Sequence, residues 1–185
     1  MAGLDGYKIA FLAKRGFEQD ELTEPWKAVL EAGGQPVLVS EEKGLITGLV
    51  GDWDRGIDVP VDLTLDEADP SDYLGLVLPG GTLNSDKIRT NEKAQAFVKA
   101  FMDAGKPVAP ICHGAWILIE TGTLAGRTLT STTRIRTDLI NAGAYWVDTE
   151  FHRDGNLLSS RSPRDIDAFN RGIIAVFEEV AVQER

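Results

Sequence analysis

The sequence predicts an α/β sandwich with a mainly parallel, doubly wound sheet and a small side hairpin. Short apolar segments alternate along the chain with longer amphipathic segments, which is the pattern of strand–helix–strand units. The core segments are apolar at consecutive positions, as in strands that helices cover on both faces. With 185 residues, the chain is long enough to bury a substantial core, and we expect one domain spanning residues 1–185.

The first predicted unit is a strand, a helix and a second strand. Residues 7–13 form the first strand, whose second half is apolar on both faces. The helix opens at Phe17 and runs to about Glu31. Its first turn is acidic, as the helix dipole favours, and two glycines follow its end. Residues 35–39 form the second strand.

Residues 40–73 are less regular and contain the predicted side hairpin. Its short strands are expected at 45–49 and 59–65. Between them, residues 52–58 carry carboxylates at alternate positions, as a calcium-binding loop does. The twelfth position of that pattern is Leu63 instead of glutamate, which excludes an EF-hand. We interpret the acidic segment as a solvated turn.

The third core strand, at 73–78, is followed by two glycines that let the backbone approach a ligand closely. The GxGxxG spacing of a dinucleotide site is absent. A polar loop is expected at 82–90. Asn91 then caps a helix that runs to Ala104 and ends at a glycine.

The last third of the chain continues the alternation. The predicted elements are a strand at 126–130, a helix at 131–141, a strand at 144–147, a hairpin with an Asp-Gly turn at 151–160, and a last helix that starts at Pro163. The apolar residues of this last helix recur at helical spacing, so we interpret them as core residues.

The most informative stretch is residues 106–120. An apolar strand ends just before Cys112, the only cysteine, and a short helix starts at Trp116. A sharp turn from strand to helix at Cys112 is the geometry of a nucleophile elbow. A helix N-terminus favours the reactive thiolate through its free N–H groups and its dipole. An isolated cysteine is usually a small buried hydrophobe, but this context, with His113 next in sequence, favours a nucleophile.

The other groups that a cysteine nucleophile needs have candidates near the same sheet edge. His113 would shuttle protons, and the backbone N–H groups of Gly81 and His113 would form an oxyanion hole. Glu18 would hydrogen-bond the sulfur when its carboxyl group is protonated by desolvation. Asp86, from this subunit or a neighbour, is the candidate acceptor that orients His113.

Composition excludes several classes of partner. A formal charge of −10 argues against binding to nucleic acid or to an anionic membrane. We see no signal peptide and no apolar run long enough for a membrane helix. A single cysteine excludes an internal disulfide framework and suits a cytoplasmic protein.

Metal and cofactor sites are not expected either. The two histidines and one cysteine do not form a zinc-binding cluster in the sequence. His152 lies beside the predicted hairpin turn, where we expect a surface or packing role. We therefore expect no metal and no cofactor.

The motifs resemble those of the PfpI family, the intracellular protease/deglycase branch of the class I glutamine-amidotransferase-like superfamily. The resemblance runs over essentially the whole chain. Its matching segments are residues 17–18, 78–81, 91–94, 111–114, 135–139 and 141–144. It implies a flavodoxin-like sandwich, a cytoplasmic stress-related protein, and a homodimer or higher homo-oligomer.

The resemblance also implies roles for residues. The family's nucleophile corresponds to Cys112, its adjacent histidine to His113 and its motif glutamate to Glu18. Its third acid, which a neighbouring subunit contributes in this branch, falls near Asp86. Ala115 stands where many members have proline, a difference that removes no catalytic group.

Three functions remain open at this point. The first is a cofactor-independent enzyme on reactive carbonyls, similar to a glyoxalase III or a protein deglycase. The second is an intracellular cysteine peptidase of the PfpI type. The third is a redox-sensing or chaperone stress protein in which Cys112 is oxidised to a sulfinic acid. The expected partners are accordingly a small aldehyde, a peptide or a glycated protein.

Overall fold

The structure is a computed structural model and describes residues 3–184. Its main sheet has seven strands. From one edge to the other they are β11 (His152–Asp154), β12 (Leu157–Ser159), β8 (Val108–Pro110), β7 (Gly75–Leu78), β1 (Lys8–Leu12), β3 (Gln35–Ser40) and β6 (Leu63–Thr64). Every neighbouring pair is parallel except the β11–β12 hairpin. This arrangement confirms the predicted α/β class with a mainly parallel sheet.

Helices cover both faces of this sheet. Within the described residues they are α1 (Gln19–Glu31), α2 (Thr82–Ile88), α3 (Glu92–Asp103), α4 (Ile117–Glu120), α5 (Arg136–Asn141) and α6 (Ile166–Gln183). Strand β1 shows the consequence for the sequence. Ile9 and Phe11 pack into one apolar cluster with α1 and α6, whereas Ala10 and Leu12 pack into a second cluster with α3, α4 and α5. Consecutive apolar residues are therefore both buried.

A small side sheet carries the predicted hairpin, with corrected boundaries. It contains β2 (Phe17–Glu18), β4 (Leu45–Val50) and β5 (Asp54–Pro60), with β4 antiparallel to β5. The prediction that residues 52–58 are a solvated turn was wrong for most of that segment. Strand β5 is largely exposed on both faces, so it has no apolar alternation by which to recognise it.

Two further boundaries differ from prediction. The first helix starts at Gln19 because the two residues before it pair with β4. The predicted strand at 59–65 is divided: its start belongs to β5, and its end is β6, which joins the edge of the main sheet through β3.

The segment predicted as a polar loop at 82–90 contains helix α2. Its buried side chains are Asn84, Ser85 and Ile88. Asn84 Nδ2 donates hydrogen bonds to the carbonyl oxygens of Pro79 and Gly80, at 3.2 and 2.9 Å. Because the buried face of α2 is mostly polar, helical periodicity of apolar residues could not reveal it.

The remaining predictions agree with the structure in kind. The Asn91 side chain caps α3, and residues 151–160 contain the antiparallel β11–β12 hairpin. Pro163 begins a 3₁₀ turn that leads into α6. The predicted strands at 126–130 and 144–147 are β9 (Thr128–Leu129) and β10 (Tyr145–Trp146), which pair with each other. No helix within residues 3–184 is long and apolar enough to cross a membrane.

The order of the central strands positions the site. Strands β8, β7 and β1 are parallel neighbours, so their carboxyl ends lie at one edge of the sheet. The loops that follow them contain Gly16, the Gly80–Gly81 pair and Cys112. This confirms the prediction that these three strand ends converge.

Candidate active site

The chain turns sharply at Cys112, directly after β8. Cys112 has a φ of 61° and opens a 3₁₀ turn, Cys112–Trp116, that leads into α4. Its N–H donates to the carbonyl oxygen of Ser160 at 3.0 Å, and its own carbonyl oxygen accepts from Thr132 N at 3.4 Å. A positive φ costs a non-glycine residue about 1–2 kcal/mol. The surrounding hydrogen bonds hold Cys112 in this strained conformation, as in a nucleophile elbow.

Cys112 lies at the bottom of a cleft, which we call the Cys112 cleft. The thiol residue is 9% exposed, and the cleft has a volume of about 320 Å³. The residues that line it are Asp52, Cys112, His113, Ser131, Thr132, Thr133, Arg134, Arg161, Ser162 and Arg164. The cleft is thus polar, with hydroxyl and guanidinium groups facing a nearly buried sulfur.

The carboxyl group beside the sulfur belongs to Glu21. Glu21 lies in the first turn of α1 and is completely buried. Its Oε2 accepts a hydrogen bond from Gly80 N at 2.7 Å. A Cβ atom on Gly80 would overlap both this oxygen and Cys112 Cβ, so the carboxyl group lies beside the cysteine. The other carboxyl oxygen, Oε1, has no hydrogen-bond partner among residues 3–184. That atom is therefore available to the sulfur or to a bound substrate.

Burial favours the neutral forms of both groups. Desolvation raises the pKa of Glu21 well above its ordinary value, against the opposing hydrogen bond from Gly80. Desolvation also raises the pKa of Cys112, and a negative charge on Glu21 would raise it further. The pair therefore resists carrying two negative charges. A protonated Glu21 can instead donate a hydrogen bond to a Cys112 thiolate.

The expectation that Glu18 contacts the sulfur was wrong. Its Oε1 and Oε2 accept hydrogen bonds from Gly51 N and Asp52 N, each at 2.9 Å. Glu18 precedes α1 and belongs to the side sheet, whereas Glu21 lies in the first turn of the helix. Glu21 shares the buried face of α1 with Leu22, Pro25 and Val29, and that helical spacing is the sequence signal that points to it.

His113 lies against Cys112. Its Nδ1 is 3.4 Å from Cys112 Sγ, and its Nε2 is 3.3 Å from Thr82 Oγ1. Burial lowers the pKa of His113; the charge of Asp52 opposes this shift, and that of Arg134 adds to it. The imidazole is therefore neutral near pH 7 and can accept a proton.

Asp86 does not reach His113 within this chain. It lies on the outer face of α2, where its side chain is 58% exposed and 3.7 Å from Arg89 Nε. The buried face of that short helix is formed by other residues. A contribution of Asp86 to the site of a neighbouring copy remains a prediction.

The two predicted oxyanion donors are the backbone N–H groups of His113 and Gly81. The N–H of His113 interacts with the Cys112 thiol group. Gly81 has a φ of 86°, and a Cβ atom there would overlap the backbone of Gly16 and Glu18, so only glycine fits. Within residues 3–184, no hydrogen bond occupies the N–H of Gly81, whereas the N–H of His113 interacts with the sulfur. The N–H of Gly81 is therefore free to bind a developing oxyanion, and that of His113 lies at the reacting atom.

The other histidine lies elsewhere. His152 is a half-buried residue of β11 and does not line the Cys112 cleft. Across the part of the chain that the structure describes, no group of three or more histidine, cysteine, aspartate or glutamate side chains is arranged to hold a metal ion.

Comparisons with known proteins identify the relatives of this chain. The sequence pattern of the DJ-1/PfpI family matches residues 7–176. The chain is 44% identical over 171 residues to deglycase PfpI of Pyrococcus furiosus, an alignment that covers 92% of this chain and 99% of the relative. It is 42% identical over 176 residues to general stress protein 18 of Bacillus subtilis, covering 94% and 99%.

A solved structure shows the same fold at lower identity. DJ-1beta of Drosophila melanogaster is 22% identical and superposes with a TM-score of 0.84, covering 96% of this chain and 94% of that one. The family pattern spans nearly the whole chain, including the Cys112 elbow and Glu21. The chain therefore belongs to the DJ-1/PfpI family.

Proposed function

We propose that this protein is a cysteine-dependent enzyme that converts reactive 2-oxoaldehydes to hydroxy acids without a cofactor, acting on the free aldehydes and on their early adducts with proteins. The observation that supports it best is the position of the completely buried Glu21 carboxyl group beside Cys112, since both side chains lie against Gly80. A nucleophile beside a protonatable carboxyl group suits a reaction that moves a proton between adjacent carbons. The relative named a deglycase also supports this proposal.

The first step with methylglyoxal is addition. The Cys112 sulfur attacks the aldehyde carbon, and the thiol proton passes to the carbonyl oxygen, which gives a hemithioacetal. The N–H groups of Gly81 and His113 would stabilise the developing oxygen charge.

The second step moves the C1 proton to C2. One base removes the proton from C1, and the electrons of that bond form the C1=C2 double bond of an enediol as the C2 carbonyl oxygen takes a proton. A proton then adds to C2 as the C1 hydroxyl loses its proton and becomes the thioester carbonyl. The product is a lactoyl thioester on Cys112. Glu21 and His113 flank the sulfur and are the groups available for this transfer. Water then hydrolyses the thioester, which releases lactate and regenerates the thiol.

An early adduct enters the same sequence by exchange. In a hemiaminal of methylglyoxal with a lysine side chain, the Cys112 sulfur displaces the amine at the former aldehyde carbon. The amine leaves with a proton, the protein side chain is restored, and the same hemithioacetal remains on Cys112.

The proposal is tested by measuring lactate formation from methylglyoxal without added thiol or metal. We expect the wild-type protein to form lactate and Cys112→Ser to fall to the uncatalysed rate. Circular dichroism would show that the variant is folded. A wild-type protein that forms no lactate, or a variant that forms as much, would contradict the proposal.

A second candidate function is peptide hydrolysis. The observation that favours it is the 3.4 Å approach of His113 Nδ1 to Cys112 Sγ, the arrangement of a nucleophile and its general base. Hydrolysis would depend on His113 more than on Glu21, because acyl transfer requires no proton movement between carbons. Cleavage of a fluorogenic peptide by Glu21→Gln but not by His113→Gln would identify this activity.

A further inference from the structure

We infer that Asp52 orients His113 through the hydroxyl group of Thr82, and that this relay leaves Nδ1 of His113 unprotonated toward Cys112. The inference rests on Cys112 being the nucleophile of the proposed function, but not on which substrate it attacks. Asp52 and Thr82 touch no reacting atom, so they are positioning residues.

The relay is a continuous set of hydrogen bonds. Asp52 Oδ1 accepts from Thr82 N at 2.8 Å, and Oδ2 accepts from Thr82 Oγ1 at 2.7 Å. Thr82 Oγ1 is in turn 3.3 Å from His113 Nε2. The acid thus binds both the backbone and the side chain of the residue that contacts the imidazole.

Counting protons along this set assigns the histidine tautomer. A threonine hydroxyl has one proton, and an ionised carboxylate can only accept. When Thr82 gives its proton to Asp52, its oxygen can only accept from His113, so Nε2 carries the hydrogen. In the neutral imidazole Nδ1 is then a lone-pair acceptor, and it is the atom 3.4 Å from Cys112 Sγ.

Glu18 fixes the position of Asp52. Asp52 lies in the turn between β4 and β5 and has a φ of 61°, an uncommon value for a residue other than glycine. The buried Glu18 carboxylate accepts the N–H groups of Gly51 and Asp52. This explains why a carboxylate at the start of α1 faces the side sheet: it fixes the turn that carries Asp52.

The charged groups around His113 fit this assignment. Asp52 is the carboxylate that lines the Cys112 cleft, and three arginines line it as well: Arg134, Arg161 and Arg164. Arg134 acts on the imidazole with the opposite sign to Asp52. Arg161 is engaged by Asp148 and Asp165. When His113 accepts the thiol proton, the Thr82–Asp52 pair is therefore placed to stabilise the imidazolium.

The test is the tautomer of His113, read from ¹⁵N chemical shifts of protein labelled in its histidine rings. The chain has two histidines, so His152→Gln assigns the signals. We expect the Nε2–H form near neutral pH in the wild type and in Thr82→Ser, which keeps the hydroxyl. Valine has no hydroxyl oxygen to accept a hydrogen bond from Nε2. We therefore expect Thr82→Val to shift the His113 population toward the Nδ1–H tautomer.

A second readout uses the sulfur directly. Thr82→Val and Asp52→Asn should slow alkylation of Cys112 by iodoacetamide severalfold at neutral pH and change its pH profile, whereas Thr82→Ser should not. Asparagine tolerates a positive φ, so Asp52→Asn removes the charge while preserving the turn. Thermal unfolding would show that the variants are folded.

The outcomes separate this inference from the proposed function. A wild-type Nδ1–H tautomer, or a Thr82→Val protein with wild-type tautomer and alkylation rate, would overturn the relay. If the protein forms no lactate while the tautomer and alkylation change as expected, the relay stands and the carbonyl reaction is rejected.

Discussion

At the scale of single residues, the site is a buried set of three proton-exchanging groups: Cys112, Glu21 and His113. Burial shifts the pKa of each toward its neutral form, upward for the thiol and carboxyl and downward for the imidazole. In the resting site, these three groups are therefore neutral instead of charged. A nucleophilic thiolate forms when His113 takes the proton and Glu21 keeps its own.

The buried Glu21 makes stability depend on pH. Its pKa is raised above the ordinary 4.5, so above that pH the unfolded chain has lost a proton that the folded protein retains. The free energy of unfolding should then fall with rising pH, by at most about 1.4 kcal/mol per pH unit, until the raised pKa is reached. Glu21→Gln has no such proton, so its stability relative to wild type should increase with pH.

Urea unfolding between about pH 5 and pH 7 would measure this difference. Glu24→Gln, on the exposed face of the same helix, is the matched control and should follow the wild-type curve. Parallel curves for Glu21→Gln and wild type would show that Glu21 is ionised in the folded protein.

Gly114 fixes the elbow by its lack of a side chain. A Cβ atom there would overlap the carbonyl oxygen of Leu78, so Gly114→Ala should cost about 1–3 kcal/mol and slow alkylation of Cys112. Gly105→Ala is the control, since its Cβ would meet no atom within 4 Å at a φ of 68°. It should lose about 1–2 kcal/mol with no change in alkylation. Equal alkylation rates in the two variants would contradict this role for Gly114.

At the scale of elements, the site is assembled from two sheets. The carboxyl ends of β1, β7 and β8 bring together the loops that contain Gly16, Gly81 and Cys112. The side sheet adds the turn with Asp52, which α2 meets through Thr82. The elbow is therefore a property of the central fold, whereas the orientation of His113 depends on the smaller sheet.

The start of α3 depends on one side chain. Asn91 Oδ1 accepts from Lys93 N at 2.9 Å and from Ala94 N at 3.1 Å. Asn91→Ala should lower the free energy of unfolding by about 1 kcal/mol, while Asn91→Ser should retain most of it, since serine also caps helices. Chemical denaturation would measure both. Equal losses in the two variants would mean that the contact of Asn91 Nδ2 with Glu41 matters more than the cap.

Secondary-structure elements could be predicted from the sequence where their buried apolar residues form a regular local pattern. The core strands, α1, α3, α6 and the Cys112 elbow were all recognisable because their apolar residues are local signals. Strand β5 and helix α2 were not, since one is exposed on both faces and the other buries polar residues. Glu18 was chosen for its position after β1, but helical spacing places Glu21 on the buried face. The link from Asp52 to His113 joins distant segments, and no local pattern encodes it.

At the scale of the whole molecule, the Cys112 cleft is lined mainly by positively charged side chains, although the protein as a whole is negatively charged. The chain has a formal net charge of −10, whereas three arginines and one aspartate line the Cys112 cleft. Two of the arginines lie beside the buried Asp165. Arg134 forms no ion pair with any residue in the described range 3–184, so its charge faces the cleft uncompensated by a direct partner.

Alkylating agents of different charge can measure this field. Arg134→Gln should slow the reaction of Cys112 with the anion iodoacetate relative to neutral iodoacetamide. We expect the activation free energy of the reaction with iodoacetate to rise by about 0.5–1 kcal/mol, which corresponds to a roughly two- to fivefold slower rate. Arg55→Gln, on the exposed side hairpin, should leave the ratio unchanged. The effect should shrink as salt is added. An unchanged ratio in Arg134→Gln would show that this guanidinium does not act at the sulfur.

The central claim is that Glu21 works with Cys112 in carbonyl chemistry, and one comparison tests it most directly. Lactate formation from methylglyoxal would be measured for wild type, Glu21→Gln and Glu24→Gln. We predict that Glu21→Gln loses about 10²-fold or more in kcat, as removal of an acid–base group typically does, while Glu24→Gln retains wild-type activity. Near-normal turnover by a folded Glu21→Gln protein would contradict the account.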